Sequence, residues 1–69
     1  MKTYIEATEV VEGFEVIPEF IRSDITDMTD TEIQAVKDVM KDIMTGKNYI
    51  LQRHFCRHDE SGSCEMIEE

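Results

Sequence analysis

Thr29-Asp30-Thr31-Glu32-Ile33-Gln34-Ala35-Val36-Lys37-Asp38-Val39-Met40-Lys41-Asp42-Ile43-Met44-Thr45-Gly46 is the stretch on which the fold turns. Thr29 and Glu32 stand at the two ends of a capping box, with Met28 and Ile33 at the positions of a hydrophobic staple. Asp30 and Glu32 place negative charge in the first turn, where the helix dipole favours it. Ile33, Val36, Val39, Met40, Ile43 and Met44 recur at helical spacing and form one apolar stripe, and Gly46 is suited to ending the helix. The spacing predicts one amphipathic helix from about Asp30 to Thr45 that must cover something.

What it covers is read from the flanks. On the N-terminal side, Glu12-Gly13 reads as a two-residue turn between Tyr4 to Val11 and Phe14 to Ile17, a β-hairpin spanning Thr3 to Ile17. That register pairs Val11 with Phe14 and Glu9 with Val16. It places Ile5, Ala7, Val11, Phe14 and Val16 on the core face, with Glu6 and Glu15 outward beside Tyr4 and Thr8. Pro18 lacks the N–H a ladder needs and ends the second strand. Glu19 to Met28 reads as one helical turn around Glu19-Phe20-Ile21-Arg22 followed by an acidic loop.

On the C-terminal side, Tyr49 to His58 is β-like and Cys64 to Ile67 forms a return strand. A three-residue loop, Glu60-Ser61-Gly62, pairs Asp59 with Ser63, Arg57 with Glu65 and Phe55 with Ile67. Tyr49, Leu51, Phe55 and Ile67 then share a face. The expected architecture is α+β, in the order ββαββ: an antiparallel sheet of two hairpins with one helix packed on one face. With 69 residues there is material for a single domain, 1–69. A core of this size supplies about 3–5 kcal/mol, so a disulfide, a metal or a homodimer would each be a natural reinforcement.

Charge is the compositional outlier. Sixteen acids against seven Lys and Arg give a net charge of -9, while an apolar fraction of 41 % argues for a folded chain over an acidic tail. The charge is segmented. Residues 1–32 carry nine acids and two bases, residues 33–58 two acids and five bases (Lys37, Lys41, Lys47, Arg53 and Arg57), and residues 59–69 five acids and no base. There is no apolar run of membrane-spanning length and no signal-like block after Met1, so the expected location is the cytoplasm, with both cysteines reduced.

Four potential metal ligands, His54, Cys56, His58 and Cys64, fall within eleven residues. Their spacing is unlike the usual zinc patterns, and same-face neighbours on one strand stand about 6–7 Å apart, against roughly 3.5 Å between ligands of one ion. They read as solvent-facing histidines beside two ordinary thiols, with no metal and no cofactor. In the register above, Cys56 and Cys64 are diagonal, beyond comfortable disulfide reach. His54 and His58 flank Cys56, but a two-layer domain this small offers little cleft for Cys-His catalysis, so no enzyme activity is expected. Asp24, Asp27 and Asp30 lack the glycine and terminal glutamate of a calcium loop. Met28, Met40, Met44 and Met66 read as core filling rather than an adaptable binding surface.

The remaining signal is the acidity itself. Glu6, Glu9, Glu12, Glu15, Glu19, Asp24, Asp27, Asp30 and Glu32 punctuate folded elements, and rigid spaced carboxylates can imitate phosphates. Duplex DNA carries about one charge per 1.7 Å of axis, so nine net charges correspond to roughly 15 Å of duplex. In size, charge and these folded acidic segments the chain resembles the small acidic proteins that bacteriophages make during host takeover, several of which are DNA mimics. The resemblance implies an inhibitor in the host bacterial cytoplasm that binds a basic nucleic-acid-binding protein through those nine residues. A nucleoid-associated protein of the HU type is the first candidate. Direct binding to nucleic acid is opposed by the net charge. The basic middle departs from a uniform mimic and would pair with the acidic ends of a second subunit in a homodimer. The competing expectation is an adaptor that docks on a surface other than the DNA site of a host protein, such as RNA polymerase or a protease subunit, with acidity serving solubility.

Overall fold

A computed structural model describes residues 1–13, 15–57 and 62–69. The elements follow the expected order: β1 (Lys2–Glu9), β2 (Phe20–Asp24), α1 (Asp30–Ile43), β3 (Tyr49–Cys56) and β4 (Cys64–Glu68). The four strands form one antiparallel sheet in the order β2-β1-β3-β4, so two hairpins are joined along their first strands. The β1–β3 seam runs from Lys2 opposite Cys56 to Glu9 opposite Tyr49. Among the described residues, no helix is long and apolar enough to cross a membrane.

The helix starts as its sequence dictates. Thr29 Oγ1 accepts the Glu32 N–H at 3.3 Å, and Glu32 Oε1 accepts the Thr29 N–H at 3.1 Å. Helical geometry ends at Ile43, and Gly46, at φ 82°, turns the chain towards β3 in the left-handed conformation that glycine tolerates best. Ile33, Met40 and Met44 are buried from the helix side against Ile5, Ala7 and Leu51 from the sheet, with Ile25 closing one end. Burial of this apolar area, worth about 25 cal/mol per Å², is the main force holding the two layers together. Met28 and Met66, expected in the core, are instead exposed. The remaining apolar stripe, Val39 and Ile43, also stays exposed because the helix lies over the sheet centre and not over its β2 edge.

The first hairpin corrects the sequence reading. Its second strand is Phe20–Asp24, not Phe14 to Ile17, and no helical turn forms at Glu19 to Arg22. The reason lies in what each register pairs. With Phe20–Asp24, Ile21 stands opposite Ala7 on the helix face, and Arg22 stands opposite Glu6 on the open face, so an acid meets a base. The expected register set Glu9 against Val16 and left Glu6 without a basic neighbour. Pro18 still bounds the strand, from its N-terminal side. Val16 and Ile17 are exposed in the connector and Val11 is half-buried, while Phe14 lies outside the described residues.

The β2–α1 connector is a built turn, not an open acidic loop. Ile25 N–H donates to Thr3 O at 2.8 Å, Thr3 N–H to Thr26 Oγ1 at 2.9 Å, and Thr26 N–H to the Asp24 carboxylate at 2.9 Å. Asp27 follows at φ 68°, a left-handed conformation that aspartate enters more readily than most residues. The second hairpin is offset by two residues from its expected register: Cys56 pairs with Cys64, Phe55 with Glu65 and His54 with Met66. A shift of two keeps every side chain on its face. It changes which residues meet.

Candidate functional sites: acidic ends and a histidine–thiol cluster

The nine acids proposed as a partner surface do not form one face. Because β1 is antiparallel to β2, Asp24, Asp27, Asp30 and Glu32 gather where β1 begins, and Glu9, Glu12, Glu15 and Glu19 where it ends. Glu6 belongs to neither group and must be withdrawn from the surface. It is only 6 % exposed, and its carboxylate accepts from His54 Nδ1 at 2.7 Å and lies 3.8 Å from Arg22 Nη1. Glu9 and Glu19 are half-buried: Glu9 accepts the Glu19 N–H, and Glu19 is ion-paired with Lys47. That bond to Glu19 holds the Lys47 ammonium above its ordinary pKa. Glu12, Glu15, Asp24, Asp27, Asp30 and Glu32 are exposed. Hydrogen bonds from Thr26 lower the Asp24 pKa, and those from Thr29, led by its backbone N–H, lower that of Glu32.

Three of the five bases in the middle of the sequence have acidic partners within the chain. Lys47 meets Glu19, while Lys37 and Arg53 converge on Glu69 at 3.6 and 2.7 Å. With Arg22 on Glu6, four bases are spent on three acids, of which only the half-buried Glu19 belongs to an acidic end.

The open face of the sheet carries a second arrangement. Side chains alternate along a strand, so Tyr4, Glu6, Arg22, His54, Cys56 and Cys64 all project from the face opposite the helix. Arg22 lies over the Tyr4 ring at 4.6 Å, and the Tyr4 and His54 rings are 5.8 Å apart. This packing buries much of Glu6 and His54 on a nominally solvated face. His54 directs Nδ1 to Glu6, and its other ring nitrogen, Nε2, is buried with no hydrogen-bond partner among the described residues.

Cys56 and Cys64 are direct cross-strand neighbours, which overturns the diagonal placement expected from the sequence. Arg57 N–H donates to Ser63 O at 3.2 Å, so the adjacent Cys56–Cys64 pair is a non-hydrogen-bonded one, the kind whose side chains approach most closely. Their sulfurs are 3.9 Å apart, as two thiols with Cys64 donating to Cys56. Desolvation, and then this hydrogen bond, raises the Cys64 thiol above its ordinary pKa. One ligating atom from each of His54, Cys56 and Cys64 lies within 4.8 Å of the others. The sequence reading favoured solvent-facing histidines beside two ordinary thiols, with Cys56 and Cys64 diagonal, and the two-residue register shift sets Cys64 directly opposite Cys56. His58, the fourth residue of that set, lies outside the described residues.

Compared with protein-family models, with curated proteins and with solved structures, the chain matches none.

Proposed function

We propose that this protein is an acidic DNA-mimic inhibitor that occupies the nucleic-acid site of a basic host protein. The observation that carries the reading is the charge partition. Lys37, Lys47 and Arg53 of the central segment neutralise Glu19 and Glu69, Arg22 neutralises Glu6, and the exposed acids at both ends of β1 keep their charge. The acids at one end stand on a hydrogen-bonded turn and a capped helix start, which supports preorganisation over a mobile cloud of charge. The longest dimension is 37 Å, about one turn of B-DNA, so one copy spans more than the roughly 15 Å of duplex to which nine net charges correspond. The test is capture of partners from bacterial lysate with elution by salt, followed by binding to the captured basic protein, an HU-type protein being the first to try. Steep weakening with salt and displacement by duplex DNA support mimicry. Affinity indifferent to both sinks it.

A second reading, an adaptor docking through apolar surface, draws on a different observation. Between α1 and the uncovered edge strand β2 lies a cavity of about 300 Å³ lined by Ile21, Val36, Val39, Met40 and Ile43. Under this reading a partner's apolar side chains fill the cavity, and binding is insensitive to salt.

A further inference from the structure

We propose that His54, Cys56 and Cys64 form a site for a thiophilic metal ion of the Zn²⁺ type on the open face of the sheet. The inference stands apart from the charge-mimic reading and uses residues which that reading leaves idle. Zinc bonds thiolate sulfur at about 2.3 Å, so two cysteines on one tetrahedral ion hold their sulfurs about 3.8 Å apart. Cys56 and Cys64 already stand at 3.9 Å. The third donor is His54, one ring nitrogen of which lies within 4.8 Å of both sulfurs.

The histidine carries the strongest part of the argument. Metal-bound imidazoles commonly donate their other N–H to a carboxylate, which fixes the ring and its tautomer. Glu6 does this for His54, taking Nδ1–H at 2.7 Å from a nearly buried position on the neighbouring strand. Nε2, the nitrogen that remains, is buried and unpartnered, a costly state for a polar atom unless something binds there. Two soft sulfurs and one imidazole favour zinc over calcium or magnesium, which take oxygen. Three protein ligands among the described residues leave the fourth tetrahedral position for water or an added donor. Coordination replaces the two S–H protons and the sulfur–sulfur hydrogen bond with metal–thiolate bonds, the protons passing to solvent. No oxidant or reductant is involved. The ion would clip β4, exposed along its whole length, to β3 and, through Glu6, to β1. A small domain gains from such a staple.

The experiment is titration of the full chain, kept reduced by a phosphine, with Co²⁺ and then Zn²⁺. The expected result is one Co²⁺ per chain, with thiolate-to-metal absorption in the near ultraviolet and intense tetrahedral bands in the visible. Stoichiometric Zn²⁺ should bleach these bands and raise the melting temperature. Cys56→Ser and Cys64→Ser should each remove most of the thiolate absorption, His54→Ala should weaken binding, and Glu6→Gln should weaken Zn²⁺ about 10–100-fold while leaving the spectrum tetrahedral. Circular dichroism of each variant separates loss of ligand from loss of fold, and the wild-type titration decides the question even if a variant does not fold. An octahedral Co²⁺ spectrum overturns the proposal, as does a thiolate band unchanged in Cys64→Ser. So does a chain isolated with a Cys56–Cys64 disulfide that takes up no ion after reduction.

Discussion

Glu6 and His54, on adjacent strands of the sheet's open face, are joined by a 2.7 Å hydrogen bond from Nδ1 to the carboxylate. The acid is nearly buried, so its removal strands the ring and deprives Arg22 of its counter-charge. Glu6→Ala is expected to cost about 1–3 kcal/mol in urea unfolding, and Glu6→Gln, which keeps an acceptor, less. A cycle with His54→Ala should show coupling above about 0.5 kcal/mol. Additive losses would mean the contact contributes nothing of its own.

Exposed and internally tied acids should behave differently. Glu12→Gln, Glu15→Gln, Asp30→Asn and Asp27→Asn remove charge where no ion pair among the described residues holds it, and asparagine still accepts the left-handed backbone at position 27. Together they should leave the unfolding midpoint unchanged or raise it, through reduced self-repulsion, while weakening a basic partner at least about tenfold at low salt. Titration calorimetry at two ionic strengths checks this. A partner that binds the quadruple variant as tightly as wild type removes the acidic ends from the interface.

The apolar cavity provides the opposite control. Val39 is 57 % exposed and Ile43 is 49 % exposed, so Val39→Asp and Ile43→Asp should change stability by no more than about 0.5 kcal/mol. Either substitution should leave charge-driven binding intact. Loss of the partner with the fold preserved, measured by the same calorimetry, would favour the adaptor reading.

At the helix start, Thr29→Ala removes the acceptor for the Glu32 N–H and should cost about 1 kcal/mol in thermal or urea unfolding. The pH dependence follows from the acids held by these turns. Glu32 and Asp24 have folded-state pKa values below their ordinary ones, so the stability they contribute is full above the ordinary carboxylate range. It is lost as pH falls through the depressed values. Glu32→Gln and Asp24→Asn should flatten that acid limb of the stability curve, and an unchanged limb would assign it to other carboxylates.

The methionines separate by burial. Met44 is fully buried, and Met44→Ala should cost about 2–5 kcal/mol as the loss of transfer energy adds to a cavity. Met66→Ala, on an exposed edge strand, should fall within about 1 kcal/mol. Urea midpoints at constant slope would establish both.

Local chemistry was sufficient for part of this molecule. The capping box of Thr29 and Glu32, the spacing of Ile33, Met40 and Met44, and Gly46 beyond them determined the helix, because each signal acts within a turn or two of itself. Alternation determined that Ile5, Ala7 and Leu51 face the helix, and with it the α+β class and the order ββαββ. Tertiary structure alone decided which residues meet across strands. Glu12-Gly13 was a plausible turn, yet Phe20–Asp24 won because it set Arg22 opposite Glu6 and Ile21 opposite Ala7, a preference visible only once both strands and the helix are in place. The same holds for the histidine–thiol cluster. A two-residue slip in β3–β4 leaves every face pattern in the sequence unchanged, but it decides whether Cys56 meets Cys64 or passes it diagonally. The burial of Glu6 beside His54 likewise depends on the β1–β3 seam, a pairing between residues 48 positions apart that no local signal records.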